Sequence, residues 1–345
     1  MTLTKTLRKR YLVSKNSFLF LLFLLALCVF GSLLLGKYGF TARDYIDYFG
    51  AAVRGQNLDA YKIIHTLVME IRLPRIIACV LIGASLAISG AAYQAMFVNP
   101  LVSPSILGVL SGAGFGAAVG MFFGLNETLI QLSTFAFGFA AVVCALAVSA
   151  LYSRSGSVIV LVLGGVISGS LFTSLLSVLK YAADPNDTLP AITYFLMGSL
   201  GFASKSFLQI SILPMLAGIL LLALSGKYLN ALSLGEEEAK SLGVDVRRVK
   251  IFVILTATFV SALSVTIAGI IGWIGLIVSH IARFIYGADN RAVLVSSAMI
   301  GAIFLLFCDS FSRLIFTFEI PIGIVTSLFG IPMFIVVLRR AKKGF

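Results

Sequence analysis

Residues 76–126 read IIACVLIGASLAISGAAYQAMFVNPLVSPSILGVLSGAGFGAAVGMFFGLN, without a single Asp, Glu, Lys or Arg. A water-soluble domain has no use for so long an uncharged run, because its exposed residues must be solvated by water. Lipid removes that demand. A helix needs about 20 apolar residues to cross the hydrocarbon, so the run holds two crossings. The break falls at Asn99-Pro100-Leu101-Val102-Ser103-Pro104, where the prolines cannot continue a helical hydrogen-bond ladder.

The same reading extends to the rest of the chain. Of the 345 residues, 59% are apolar and 12% charged, against about 25% charged in soluble domains. Further crossings are expected at 16–36, 128–153, 155–179, 206–226, 292–312 and 320–338. Residues 251–282 supply one full helix and, after a glycine-rich break at Gly269–Gly275, a shorter one. The segment 188–204 is apolar but short, and is expected to be non-spanning structure near the outer face. The first apolar run lacks a clear small-residue cleavage site and is expected to be retained as a span, not removed as a signal peptide. The chain is thus expected to be an all-α polytopic membrane protein with about ten transmembrane helices in a single domain, 1–345.

Charge sets the orientation. The net charge of +12 does not point to nucleic acid, because the basic residues sit in short loops and at the ends. Lys5, Arg8, Lys9, Arg10 and Lys15 precede the first span, and Arg339, Arg340, Lys342 and Lys343 follow the last. By the positive-inside rule both termini are expected in the cytoplasm, which requires an even number of crossings. The loops then assigned inside hold 17 of the 26 Lys and Arg. The outer segment 37–71 is mixed in charge, with Asp44, Asp47, Asp59 and Glu70, and reads as an amphipathic surface piece.

Four regions are more than lipid anchors. Arg72-Leu73-Pro74-Arg75 stands at the outer mouth of the second span, where the arginines either reach phospholipid phosphates or receive a partner. The cytoplasmic segment 227–250 contains Leu234-Gly235-Glu236-Glu237-Glu238-Ala239-Lys240-Ser241-Leu242-Gly243, a short helix bracketed by glycines, with acids first and a base later. It is either a solvated connector or a docking surface. Asp309 and Arg313 lie four apart, suited to pairing on one helix face, just before Glu319-Ile320-Pro321-Ile322-Gly323. In the fifth span Gly164, Gly165, Ser168 and Gly169 permit close helix contact, either as static packing or beside a moving pore.

Several chemistries are missing. There is no GxxxxGK[ST] phosphate loop, no Ser/His/Asp arrangement and no HExxH, so no catalytic residue is assigned. The two histidines, His65 and His280, do not make a metal cage, and His280 reads as a hydrogen-bonded structural residue. Cys28, Cys79, Cys144 and Cys308 lie singly in apolar runs and read as small core residues. No cofactor or metal is expected. No span carries an acid near its centre, which disfavours the second class of function considered, an ion-gradient-driven secondary carrier.

From about residue 70 onward the chain resembles the FecCD-type permeases of ATP-driven importers for iron chelates, haem and cobalamin, the type II importers. The resemblance rests on Arg72-Leu73-Pro74-Arg75, Gly83-Ala84-Ser85-Leu86-Ala87-Ile88-Ser89-Gly90 with Gln94, Asn99-Pro100-Leu101-Val102-Ser103-Pro104 with Leu107-Gly108, and Met197-Gly198-Ser199-Leu200. It continues through Leu234-Gly235-Glu236 with Ser241-Leu242-Gly243, Gly272-Trp273-Ile274-Gly275-Leu276, His280-Ile281 with Arg283, and Glu319-Ile320-Pro321-Ile322-Gly323 with Gly330 and Pro332. Where such permeases usually read Arg-Asn-Pro, Pro-His and Asp-His-Arg, this chain has Val98-Asn99-Pro100, Ser279-His280 and Asp289-Asn290-Arg291.

The resemblance implies a translocation subunit of the bacterial inner membrane, not an enzyme. It implies a second permease subunit (identical or paralogous), two cytoplasmic ATP-binding subunits and an extracytoplasmic substrate-binding protein. It assigns binding-protein docking to Arg72 and Arg313. It assigns ATPase coupling to Leu234, Gly235, Glu236, Ala239, Leu242 and Gly243. An iron(III)-siderophore is the expected cargo, with haem, cobalamin and molybdate as alternatives within the class.

Overall fold

A computed structural model describes residues 2–36, 40–152, 158–202 and 205–341, with side chains for 17–36, 40–152, 159–201 and 205–336. The basic side chains at both ends, Lys5 to Lys15 and Arg339 to Lys343, fall outside the described side chains.

The described chain is all-helical. Helix α1 (Thr2–Leu34) is followed by α2 (Ala42–Val53) and α3 (Lys62–Thr66); a π-helical turn, Leu67–Arg72, leads into α4 (Leu73–Met96). Then come α5 (Val109–Phe122), α6 (Glu127–Tyr152), α7 (Val158–Ala182), α8 (Thr188–Leu196) and α9 (Lys205–Leu224). The last third holds α10 (Gly226–Leu232), α11 (Glu236–Ser241), α12 (Val246–Ala268), α13 (Ile274–Tyr286), α14 (Asn290–Leu314) and α15 (Ile322–Ala341). Among the described residues seven helices are long and apolar enough to cross a membrane, and three shorter apolar ones, α5, α13 and α15, accompany them, in keeping with the expected number of about ten. Helix α8 has nine residues, about 14 Å of rise, and is too short to cross.

Helix α4 is the centre. Its 24 residues rise about 36 Å, enough for the hydrocarbon, and nearly every one is buried. It packs against α14, α12, α13 and α9. Small residues make this possible. A Cβ on Gly83 would lie 2.3 Å from the Gly301 carbonyl oxygen of α14, and one on Gly90 would lie 1.9 Å from the Gly275 oxygen of α13. Without a hydrophobic drive between helices in lipid, such backbone-to-backbone contact is what holds them together. Helices α1, α6, α7 and α9 are mostly exposed, so their outer faces meet lipid or another subunit.

The broken crossings settle a backbone problem. Non-helical peptide groups at membrane depth must find partners inside the protein. Three interruptions do this for one another: Ser199 N donates to Ala268 O at 2.8 Å, Ile322 N to Gly198 O at 2.9 Å and Gly323 N to Met197 O at 3.1 Å. Gly269, at φ +70°, ends α12 with no room for a Cβ, which would stand 2.2 Å from Phe195 O.

The segment between α1 and α4 is a small folded layer over its described residues. Thr41 caps α2 through a reciprocal box with Asp44, and the Thr41 N–H and hydroxyl hold the Asp44 carboxyl below its ordinary range. Tyr45 and Tyr48 of α2 pack on Ile64 and Val68, and the Tyr48 hydroxyl lies 2.9 Å from His65 Nδ1.

Candidate functional site

Two sites take shape at opposite ends of the α4–α14 pair. The first is a charge cluster at the start of α4. Asp309, on the penultimate turn of α14, is 0% exposed. Arg75 Nε donates to its Oδ1 at 2.8 Å, and Arg313 Nε stands 2.9 Å from its Oδ2, too misaligned to be a hydrogen bond. Arg75 also makes a bidentate fork to Glu319, at 3.1 and 2.9 Å, the geometry a guanidinium favours. Glu319 is held there because the chain after α14 folds back: Ile320 N donates to Ser312 O at 3.3 Å. Arg313 Nη2 donates to Ser32 of α1 at 3.0 Å.

Arg72 points elsewhere. Its Nη1 donates to the Leu33 and Leu34 carbonyls, the latter at 3.2 Å, and its guanidinium lies 5.6 Å from the Tyr45 ring centre. It therefore covers the unsatisfied carbonyls at the C-terminus of α1. Neither Arg72 nor Arg313 projects freely: Arg72 is 4% exposed and the Arg313 side chain 11%. Reaching phospholipid phosphate, the simple reading of Arg75, is replaced by two internal carboxylates. The i, i+4 pairing of Asp309 with Arg313 is present. What the sequence did not reveal is that Arg75 and Glu319 join it.

The second site is on the other side, around α11. Gly235 precedes it at φ +122° and ψ +156°, a conformation reserved for glycine. Ala239 is fully buried, in one cluster with Leu229, Leu232 and Val246. Leu234 and Leu242 flank the helix at 65% and 62% exposure. Glu236 pairs with Lys250, and Lys240 donates to Glu237 at 2.6 Å, which raises the Lys240 ammonium above its ordinary value. The glycine-bracketed residues thus form a short platform, buried on one side at Ala239 and exposed on the other, where Leu234 and Leu242 flank Glu236, Glu237, Glu238 and Lys240. The sequence reading expected one helix in 227–250; the structure has two, α10 and α11, anchored separately.

Between the two sites the interrupted helices leave a cavity of about 240 Å³ lined by Leu86, Ser103, Pro104, Trp273 and their neighbours. Beside it, α7 carries Gly164, Gly165, Ser168 and Gly169 as packing contacts. A Cβ on Gly164 would meet Ala145 O at 2.4 Å and one on Gly165 would meet Ile106 O at 2.0 Å, while Ser168 donates to Ala141 O at 2.6 Å. The adjoining exposed face holds Ser170, Thr173, Ser174 and Ser177, a hydroxyl stripe at helical spacing that forms part of a groove with Gly165 and Gly169. His280 hydrogen-bonds to Leu276 O at 2.9 Å. Among the described residues no group of His, Cys, Asp and Glu could hold a metal ion, and the four cysteines are free.

The sequence profile of the FecCD transport family matches residues 24–340. The chain belongs to this family. It is 35% identical over 314 residues to the molybdate import system permease protein MolB of Haemophilus influenzae, covering 91% of this chain and 92% of that one. It is 34% identical over 287 residues to the iron(3+)-hydroxamate import system permease protein FhuB of Bacillus subtilis, covering 82% of this chain and 74% of that one. A solved inward-facing structure of a metal-chelate type ABC transporter superposes with a TM-score of 0.84 at 35% identity, covering 94% of this chain and 99% of that one. As a FecCD permease the chain is a multi-span translocation subunit of an ABC importer, not an enzyme, and ATP hydrolysis belongs to a separate subunit. Such a permease works with ATP-binding subunits and a second permease, in the inner membrane of bacteria.

Proposed function

We propose that this FecCD permease imports an iron(III) chelate of the siderophore class, delivered by an extracytoplasmic binding protein and driven by ATP. The observation that carries the coupling is the α11 platform. Its inner side is pinned through Ala239, and its outer side offers Leu234 and Leu242 to a partner. A short helix held this way transmits a push as a rigid body. In this reading both termini lie on the ATP side, and the partner permease is a second copy or a paralogue.

The path is proposed to run along α7, between the two permease subunits. Its exposed hydroxyl stripe is polar enough to stay wet and carries no fixed charge. A chelate with its metal charge masked passes such a surface without being trapped. The stripe offers a bare oxyanion no counter-charge to draw it in, which places molybdate behind the siderophore. Haem and cobalamin remain the other members of the class.

Docking of the binding protein is proposed at the outer cluster, through Arg72 and Arg313. Because both are engaged within the chain, acidic residues of the partner must exchange with existing contacts instead of meeting free arginines. Reconstitution in proteoliposomes with the cognate ATPase and binding protein tests the whole reading. ATP-dependent uptake of radioiron as a hydroxamate complex is expected. Uptake of molybdate but not of iron chelate would overturn the cargo. Uptake driven by an ion gradient without ATP would overturn the class.

A further inference from the structure

We infer that Asn230, Asp289 and Asn290 form a lock that fixes the coupling platform to the foot of α14, making α14 the strut between the two sites. The lock is a chain of directional bonds. Asp289 caps α14 by accepting from Arg291 N at 3.0 Å, and the same Oδ1 accepts from Asn230 Nδ2 at 2.7 Å. Asn230 returns the contact: its Oδ1 accepts from Asn290 N at 2.7 Å. Asn290, 1% exposed, donates through Nδ2 to Ser233 Oγ at 3.1 Å.

Asn230 lies on α10, and Ser233 is two residues before Gly235, where the platform begins. The backbones touch as well: a Cβ on Gly226 would stand 2.8 Å from Arg291 Cα. With Asn290 buried and Asn230 half-buried, these directional bonds favour one geometry and hold the end of α10 that leads into the platform against α14.

The far end of α14 is equally held. Asp309 ties it to α4 through Arg75, and Gly301 seats it against Gly83 midway. A 25-residue helix, about 37 Å long, thus has one end in the outer cluster and the other bolted to the coupling platform. A displacement at either end reaches the other through α14 itself, without passing through α7 or α15. This also gives the Asp289-Asn290-Arg291 departure a physical meaning: Asn290 supplies an amide donor that reaches Ser233. Asn230 and Asn290 act through the platform and are positioning residues.

The inference rests on the coupling reading above, so its test has two readouts. The first is hydrogen exchange at the backbone amides of 234–243 in the purified permease. The second is stimulation of ATPase activity by the loaded binding protein in the full complex. Asn230→Asp sets a second carboxylate against Asp289. It is expected to speed exchange across the platform about tenfold and to cut stimulation by a similar factor, the scale of one broken bond to a charged group. Adding Asp289→Ser to it replaces the repelling carboxylate by a hydroxyl, a single atom that can accept from Arg291 N as a cap and donate to the new carboxylate, and is expected to restore both readouts. If Asn230→Asp leaves platform exchange unchanged, or the double exchange fails to restore it, the lock is refuted. If exchange follows the prediction while stimulation does not move, the lock stands as structure and its role in coupling is overturned.

Discussion

Arg75 Nε donates to Asp309 Oδ1 at 2.8 Å, joining residues 234 positions apart in the chain. This bond fastens the N-terminal end of α4 to the C-terminal end of α14 and leaves a buried carboxylate dependent on two arginines. It also separates the members of the cluster by burial: Asp309 is 0% exposed and Glu319 39%.

That difference predicts unequal costs. Asp309→Asn leaves Arg75 and Arg313 without their shared counter-charge and is expected to lower stability by about 3–5 kcal/mol. Glu319→Gln removes a more exposed partner and is expected to cost under about 1 kcal/mol. Thermal unfolding of the detergent-purified protein measures both, and equal losses would remove the distinction drawn here.

The exchange reading of docking makes a prediction of opposite signs. Ser32→Ala removes the hydroxyl that holds Arg313 Nη2 and is expected to tighten binding of the cognate binding protein several-fold. Arg72→Gln combined with Arg313→Gln is expected to weaken it about tenfold, the scale of one or two lost charge-assisted bonds. Surface plasmon resonance on nanodiscs reads both. Unchanged binding after Ser32→Ala would show that the partner does not compete with the Ser32 contact of Arg313.

Close helix contact gives a contrast between two glycines. Gly83→Ala forces a Cβ onto the Gly301 carbonyl and is expected to destabilise by about 1–3 kcal/mol. Gly50→Ala, inside α2, meets nothing within 4 Å and is expected to stabilise by about 0.5–1 kcal/mol through helix propensity. Matched melting curves decide, and a stabilised Gly83→Ala protein would contradict the packing of α4 on α14.

Backbone strain supplies two more substitutions to compare. Val98 sits at φ +49°, where a β-branched residue is disfavoured. Val98→Asn is expected to raise stability by about 1 kcal/mol, since asparagine tolerates this region. At Gly235 the sign inverts: Gly235→Ala is expected to cost about 1–3 kcal/mol locally and to reduce coupled ATP hydrolysis. Full retention of binding-protein stimulation in Gly235→Ala would argue that the platform tolerates another geometry.

The number and type of crossings were legible in the sequence because lipid imposes a local rule: each span must be apolar over its own length. The breaks near Asn99–Pro104 and Gly269–Gly275 were legible for the same reason, as were the short α8 and the Asp309–Arg313 pair, one helical turn apart. The glycine bracket around α11 could be read from composition, though its division from α10 could not.

Tertiary structure decided the partners. Nothing local to Arg72 and Arg75 distinguishes one arginine that covers carbonyls at the end of α1 from another that grips Asp309 and Glu319. Asp289 caps α14 through Arg291 N, yet its second bond goes to Asn230, 59 residues away. Sequence fixes which stretches lipid can solvate, because that depends on each residue alone. It does not fix which buried charge meets which, because that depends on the packing of helices whose contacts are made by small, chemically silent residues such as Gly83 and Gly301.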